Sequence, residues 1–360
     1  MKIAFTSTYS YPSASGVWNY VYNVAKELIK KEHEVHVFSS NLIAGTDKTS
    51  STYELFEGVH LHRFPAKLKL SENVSIWNPY KDLIKLKPDV IHCNTYRHPE
   101  TLSALKAAKK LKIPCFLTTH APFVESELRN PIQNIGAYLY DIFKKQTLNH
   151  FTKVIAITDW ELPYLYGLGC KKENVEVIPT GISDIFLKIK PRGSQIIYAG
   201  RISRIKNIQL LIEAVKEMPN VKIKIIGPVD SEYKLPEIPS NVELVNKKYN
   251  LKEELKEFGK SKIYITSSNR EGSPQTLLEA MAAGLLVISA DNKGAKEIIG
   301  NDRGLLFRKG NKKDLIAKLN WGIEDYDKYK SIIKNAKRFA EKRTWNKLAG
   351  RLEKIYLNFI

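Results

Sequence analysis

Long apolar runs are missing from this 360-residue chain. The longest weakly polar stretch, AMAAGLLVISA at 280–290, is broken by a glycine and falls short of the ~18 apolar residues a membrane span needs. The N-terminal MKIAFTSTYSYPSASG lacks the apolar core of a secretory signal. Both absences predict a cytoplasmic protein, at most peripheral on the cytosolic membrane face. Cysteine is scarce: Cys93, Cys115 and Cys170 form no CxxC, and their number is odd. That argues against a disulfide scaffold and a structural zinc site, and predicts buried small hydrophobes in a reducing compartment. No GxxxxGK[ST], HExxH or GxSxG occurs, and the chain reads as lacking a DxD, the usual divalent-metal motif. No metal site is therefore expected.

What is present is ordinary for a globular chain, with 43% hydrophobic and 26% charged residues, so disorder is excluded. The length predicts two domains. The net charge of +19 is unevenly spread: residues 306–360 hold fifteen basic against six acidic side chains. Nucleic acid, an anionic membrane or a phosphorylated substrate could each explain such an excess. The basic residues lie on helical sequence with few interleaved aromatics, which argues against a nucleic-acid-binding protein, the rival from another class.

Short apolar runs alternate with amphipathic stretches along almost the whole chain. KIAFTS at 2–7 reads as a buried strand, followed by a helix with Val17, Val21, Val24 and Leu28 on one face. Further strands are expected at 34–40, 89–94, 115–120, 153–158 and 175–179, with a hairpin around Glu57-Gly58 and helices near 99–111 and 132–150. Residues 184–194, punctuated by Pro191 and Gly193, read as a linker. The pattern then restarts, with strands at 195–200, 222–227, 242–245, 263–268, 286–291 and 304–309. Such alternation predicts two doubly wound α/β units with mostly parallel sheets. Their boundaries are placed at 1–184 and 192–343, with a closing helix at about 344–360.

Ligands of such sheets sit at the carboxyl ends of the strands, and the motifs fall there. EGSPQTLLEAMAAG opens a helix after the strand at 263–268, with Ser273 as expected cap and Pro274 as first helical residue. The amides of Gly272, Ser273, Gln275 and Thr276 would form an anion or hydroxyl site. Glu271 lies at its mouth, and Glu279 lies inside the helix among alanines and leucine. YAGRISRIKN places Arg201 and Lys206 just past another strand, as a diphosphate would need. Gly16 opens the first helix, allowing close approach of a phosphate, and His120 ends the strand CFLTTH.

As a set, GRISRIK, Glu271-x7-Glu279, GAKEII at 294–299 and the closing GLLF resemble the retaining GT-B glycosyltransferases, specifically glycosyltransferase family 4. The resemblance covers essentially the whole chain. It implies two facing Rossmann-like domains, with the final helix, Trp345 to Phe359, crossing back to the N-terminal one. It implies transfer of a hexosyl group from a nucleoside-diphosphate sugar with retention, by same-face substitution. The N-terminal domain would bind the acceptor (a sugar, a lipid-linked or a small molecule) and the C-terminal domain the donor. Arg201 and Lys206 would bind the diphosphate, Glu279 the ribose, and Glu271 with the following amides the hexose. Gly16 would approach the diphosphate and His120 the transferred sugar. No cofactor beyond the co-substrate is implied; a nucleotide-sugar epimerase or a phosphorylase is the enzyme alternative on the same fold. Ser15-Gly16, Thr180-Gly181 and Lys206-Asn207 depart from the family's usual Gly-Gly, Asn-Gly and Lys-Gly.

Overall fold

The computed structural model describes every residue except 14, 45, 47, 67, 72, 73 and 124–130; for 68–71, 74, 131–133 and 144–146 it describes the backbone alone. The chain divides into two compact units: unit 1 is Met1–Thr180 with Trp345–Ile360, and unit 2 is Gly181–Thr344.

Unit 1 runs β1 (Lys2–Ser7), α1 (Gly16–Ile29), β2 (Glu34–Ser40), β3 (Tyr53–Phe56), β4 (Val59–Phe64), β5 (Leu68–Ser71), β6 (Val74–Ile76), α2 (Tyr80–Leu86), β7 (Val90–Asn94), α3 (Pro99–Leu111), β8 (Cys115–Thr118), α4 (Pro131–Lys144), β9 (Lys153–Ala156), α5 (Leu162–Gly167) and β10 (Val175–Val177). The expected helix over 132–150 ends at Lys144, and a six-residue 3₁₀ segment completes the stretch. The main sheet has the order β10-β9-β8-β7-β1-β2-β4-β3, parallel except for the β3/β4 hairpin. Its central strands β1, β7 and β8 are buried on both faces because both are covered, whereas β3 and β4 alternate buried and more exposed residues. Ile3, Phe5, Val35 and Val37 point to α1, whose Val21, Val24 and Leu28 form the predicted face. Ala4, Ile91, Cys93, Cys115 and Leu117 point the other way, to α3. All three cysteines are buried free thiols.

Unit 2 runs β11 (Gln195–Ala199), α6 (Ile208–Lys216), β12 (Ile223–Ile226), β13 (Val242–Val245), α7 (Leu251–Lys260), β14 (Ser261–Thr266), α8 (Gln275–Ala283), β15 (Leu286–Ala290), α9 (Lys293–Ile299), β16 (Leu305–Phe307), α10 (Lys312–Glu324) and α11 (Lys330–Glu341). All six strands are parallel, in the order β13-β12-β11-β14-β15-β16. One face is sealed by Leu211 and Val215 of α6 with Leu315 and Leu319 of α10. The other is sealed by α8, uniformly buried from Leu277 to Ala283, and by Ala336 and Ala340 of α11.

The last helix, α12 (Trp345–Leu357), belongs to unit 1. Trp345, Leu348, Leu352 and Tyr356, spaced by three or four residues, share the core under α1. The Tyr356 hydroxyl also makes a short hydrogen bond with Nδ1 of His92, a fully buried residue of β7. Each such side chain contributes on the order of 1.5–3 kcal/mol by burial.

Candidate active site

Each main sheet reverses its winding once, and the singled-out residues follow the strands beside those reversals. In unit 2 the reversal lies between β11 and β14, so the loops leaving them run side by side. Side chain and backbone stitch the two loops together. Ser267 Oγ donates to the carbonyls of Lys206 (3.1 Å) and Asn207 (2.8 Å), and the Asn269 amide donates to Ile205 (2.9 Å). That stitching sets Lys206 Nζ 2.5 Å from Glu271 Oε1, in a half-buried ion pair. Asn207, where the family usually has glycine, adopts φ 49°. Asparagine is among the few side chains that enter the left-handed region readily, so the backbone path is kept without glycine. Arg201 has its carbonyl held by the Tyr198 hydroxyl at 2.8 Å. Its side chain is 59% exposed and only loosely paired, with Nε 3.7 Å from Asp230.

The entry to α8 differs from the expected one. Pro274 has ψ 100°, so it precedes the helix, and Gln275 is the first helical residue. Ser273 is therefore not the cap: the extended ψ of Pro274 moves the start one residue along, and no side chain caps it. A helix start without a capping oxygen is suited to a ligand oxygen. One turn further in, Glu279 is buried and accepts from Gln275 Nε2 at 3.0 Å. Burial first, and the Glu254 carboxylate of α7 second, push its carboxyl up to about 8, against the opposing Gln275 bond. Burial raises Glu254 to about 7. Glu279 is thus a desolvated acid whose carboxylate form has the Gln275 amide as a donor, and ligand hydroxyls would add to it. Thr276 and Gln275 lie half-buried in the first turn, next to the Gly272–Ser273 loop.

In unit 1 the reversal lies between β1 and β7. Gly16 is the first residue of α1, and Ser15 caps it, its Oγ accepting from the Trp18 amide at 3.1 Å. A Cβ at Gly16 would meet nothing within 4 Å, so the helix start is open above it. His120 follows β8 at φ 56° and Ala121 at φ 53°; in the adjacent loop after β7, Thr95 has φ 97° and Arg97 φ 68°. Four non-glycine residues in the left-handed region, one β-branched, mark backbone strained by its surroundings. His120 Nε2 donates to Asn94 Oδ1 at 2.9 Å, and the Asn94 amide in turn donates to the His92 carbonyl. Burial foremost, and then His98, hold the His120 imidazole down to about 3, so it stays neutral with Nδ1 as an acceptor.

The profile "Glycosyl transferases group 1" matches residues 184–339, and "Glycosyltransferase Family 4" matches residues 14–184. The chain is a GT-B glycosyltransferase resembling family 4. An uncharacterized glycosyltransferase of Methanocaldococcus jannaschii is 27% identical over 99% of this chain and 98% of its own length. A GDP-mannose-dependent alpha-mannosyltransferase of Mycobacterium tuberculosis is 22% identical over 86% of this chain and 84% of its own length. Anabaena HepE in complex with UDP-glucose superimposes with a TM-score of 0.75 at 17% identity, covering 100% of both chains, a likeness of fold.

Several residues of this glycosyltransferase escape a reading by motif. Ser267 and Asn94 are two. Glu161, fully buried after β9, is a third: its carboxylate accepts from Thr119 Oγ1 (2.5 Å), Thr158 Oγ1 (3.1 Å) and the amides of Ala121 and Ile157 (both 2.9 Å). It thereby braces the turn that carries His120. The short T-D-W-E segment at 158–161 is its only sequence signal. Among the described residues, one group has the spacing of metal ligands: Glu34, His36 and His60 of unit 1. It lies near the amino ends of β2 and β4, whereas His120 follows the carboxyl end of β8. The chain does contain one DxD, Asp325-Tyr326-Asp327, which the metal-free expectation passed over. It joins α10 to α11, and its carboxylates pair with Lys328 and Lys330 on the surface.

Proposed function

We propose that this enzyme transfers a hexosyl group from a nucleoside-diphosphate sugar to its acceptor with retention, and that no metal takes part in the transfer. The observation that carries the reading is the Lys206–Glu271 pair beside the uncapped start of α8, with the loosely held Arg201 on the same loop. Two cations and a helix N-terminus there suit a leaving diphosphate, whose growing charge they would stabilise without a divalent ion. Glu279 would receive the ribose hydroxyls and Glu271, with the amides after it, the hexose. The family resemblance assigns Gly16 to the diphosphate and neutral His120 to the transferred sugar. The names of HepE's ligand and of the mannosyltransferase's donor support a nucleotide sugar as the donor class. A thermal-shift screen with UDP-, GDP- and ADP-sugars tests donor choice, since ligand at ~100 times its dissociation constant adds about 2.7 kcal/mol. Activity should survive excess EDTA, and Lys206→Ala or Arg201→Ala should lower turnover roughly 10²-fold. A loss in EDTA that magnesium or manganese restores contradicts the metal-free reading.

A specific observation favours an acceptor presented at an anionic membrane. Helix α4 exposes Ile135 (60%), Tyr138 (67%), Leu139 (45%), Ile142 (47%) and Phe143 (75%). Their spacing puts them on one stripe, without a charged residue in it. The opposite side is fastened to unit 1, where Tyr140 packs on Tyr96 and Asp141 pairs with Arg97. An apolar stripe on a strongly basic chain, with exposed Lys106, Lys109, Lys110 and Lys112 on α3 of the same unit, matches an anionic lipid surface. No helix among the described residues is long and apolar enough to cross a membrane. Cosedimentation at low salt should recover the protein with phosphatidylglycerol vesicles and not with phosphatidylcholine alone. Substituting Ile142→Ser with Phe143→Ser should abolish the recovery. Equal recovery with both vesicles, or a dimer in velocity sedimentation that the double variant dissolves, overturns the lipid reading.

A further inference from the structure

The amino ends of β2 and β4 carry a side-chain cluster that the transfer reaction does not use. Strand residues two apart share a face, so Glu34 and His36 of β2 point the same way, as do His60 and His62 of β4. The strands pair in parallel with His36 opposite His60, which brings the four side chains into one patch. Ligand atoms of Glu34, His36 and His60 lie within 4.8 Å of one another. His36 Nε2 is 2.8 Å from Glu34 Oε1, and the rings of His36 and His60 stack at 4.5 Å between centroids.

The outer contacts of the two imidazoles point to a ligand independently. His36 uses Nδ1 to meet His62 Nε2 at 2.9 Å, so its Nε2 faces Glu34. His60 uses Nδ1 to meet the Tyr53 hydroxyl of β3 at 2.9 Å, which leaves Nε2 as its ligating nitrogen. Partners on the far nitrogen are what orient metal-binding histidines. Ligand atoms of a tetrahedral zinc site stand roughly 3.4 Å apart, given bonds of about 2.0–2.1 Å. Glu34 and His36 already stand 2.8 Å apart, so the longest separation involves His60, and closing it takes a side-chain adjustment of up to about 1.4 Å.

We propose that Glu34, His36 and His60 form a site for a borderline divalent cation, zinc by its ligand set, with water in the fourth position and with Tyr53 and His62 as positioning residues. Two imidazoles and a carboxylate suit zinc, cobalt, nickel or copper rather than magnesium or calcium. The ion would clamp β2 to β4 at the edge of the sheet remote from His120, and its role is structural, separate from glycosyl transfer.

The test uses the tag-free full chain, stripped with chelator and titrated with zinc chloride by calorimetry and with cobalt by its visible absorption. One equivalent should bind, with the intense ligand-field bands of four-coordinate cobalt, and zinc should raise the melting temperature. His60→Gln and Glu34→Gln, both at accessible positions, should remove stoichiometric binding while the stripped proteins melt as the parent does. Tyr53→Phe should weaken it roughly 10–100-fold, as loss of an orienting partner does. His33→Gln, which alters the separate His33–Glu353 contact, should leave it unchanged. Absence of stoichiometric binding, or binding that survives His60→Gln and Glu34→Gln, overturns the proposal.

Discussion

Glu271 and Glu279 share a motif and differ in surroundings. Glu271 stands at the helix mouth against the Lys206 ammonium, and Glu279 is sunk one turn inside with the Gln275 amide and the Glu254 carboxylate as neighbours. A carboxylate near the hexose gains weight as the sugar becomes cationic, so its charge counts most in the transition state. A carboxylate on the ribose makes the same contacts with substrate and product. Glu271→Gln should therefore lower turnover more than it weakens nucleotide binding, and Glu279→Gln should do the reverse. Calorimetry with the nucleoside diphosphate and initial rates at saturating donor decide between them; equal losses of affinity with full turnover would show the roles wrongly assigned. The place of these two residues, one before and one within the helix after a strand, was legible from their order in the sequence. Ser267, 61 positions from the Lys206 carbonyl it holds, was not, and neither was Glu161, 42 from Thr119. A serine or glutamate of that kind has no local signature; its role exists only once strands distant in sequence lie side by side.

Among the elements, α9 owes its place to one residue. A Cβ on Gly294 would stand 2.5 Å from the Gly272 carbonyl oxygen and 2.8 Å from that of Glu271. Backbone on backbone leaves no flexible tip to yield, so Gly294→Ala must displace the loop that carries Glu271. We expect about 1–3 kcal/mol of lost stability and a donor affinity at least roughly tenfold weaker, since a displacement of this size spoils a positioned site. Unchanged donor affinity by calorimetry would mean that the loop moves freely. The main alternation of strand and helix was read correctly from periodicity because the central strands of each sheet are covered on both faces, and the β3/β4 hairpin was marked by its Glu57-Gly58 turn, whereas β5, β6, α2 and α5 went unread. Two helix ends were misread for local reasons. The first turn of α8 begins after Pro274, which keeps an extended ψ. The stretch after Lys144 tightens to 3₁₀ geometry over six residues.

For the whole molecule, the deciding feature is that unit 1 is discontinuous. Periodicity could place Trp345, Leu348 and Leu352 on one face; which unit received that face was implied by the family resemblance alone. Deleting residues 345–360 uncovers Phe5, Val24 and Leu28 from one side and leaves His92 Nδ1 without the Tyr356 hydroxyl. Four large side chains at about 1.5–3 kcal/mol each rival the whole stability of a typical domain. Calorimetry of the shortened chain should show the transition of unit 1 lost or lowered by tens of degrees, with that of unit 2 kept. A shortened chain whose two units melt as before would show α12 to be dispensable.

That discontinuity sets a timetable for synthesis. A ribosome delivers β1 to β10 first, then all of unit 2, and only afterwards the helix that seals the first core. Unit 2, continuous from residue 181 to 344, can finish folding while the earlier segment still waits with the sheet face beside α1 incompletely covered. The nascent enzyme thus inverts the usual order in which N-terminal domains mature first. Until residues 345–360 emerge, the core beside α1 lacks its last helix.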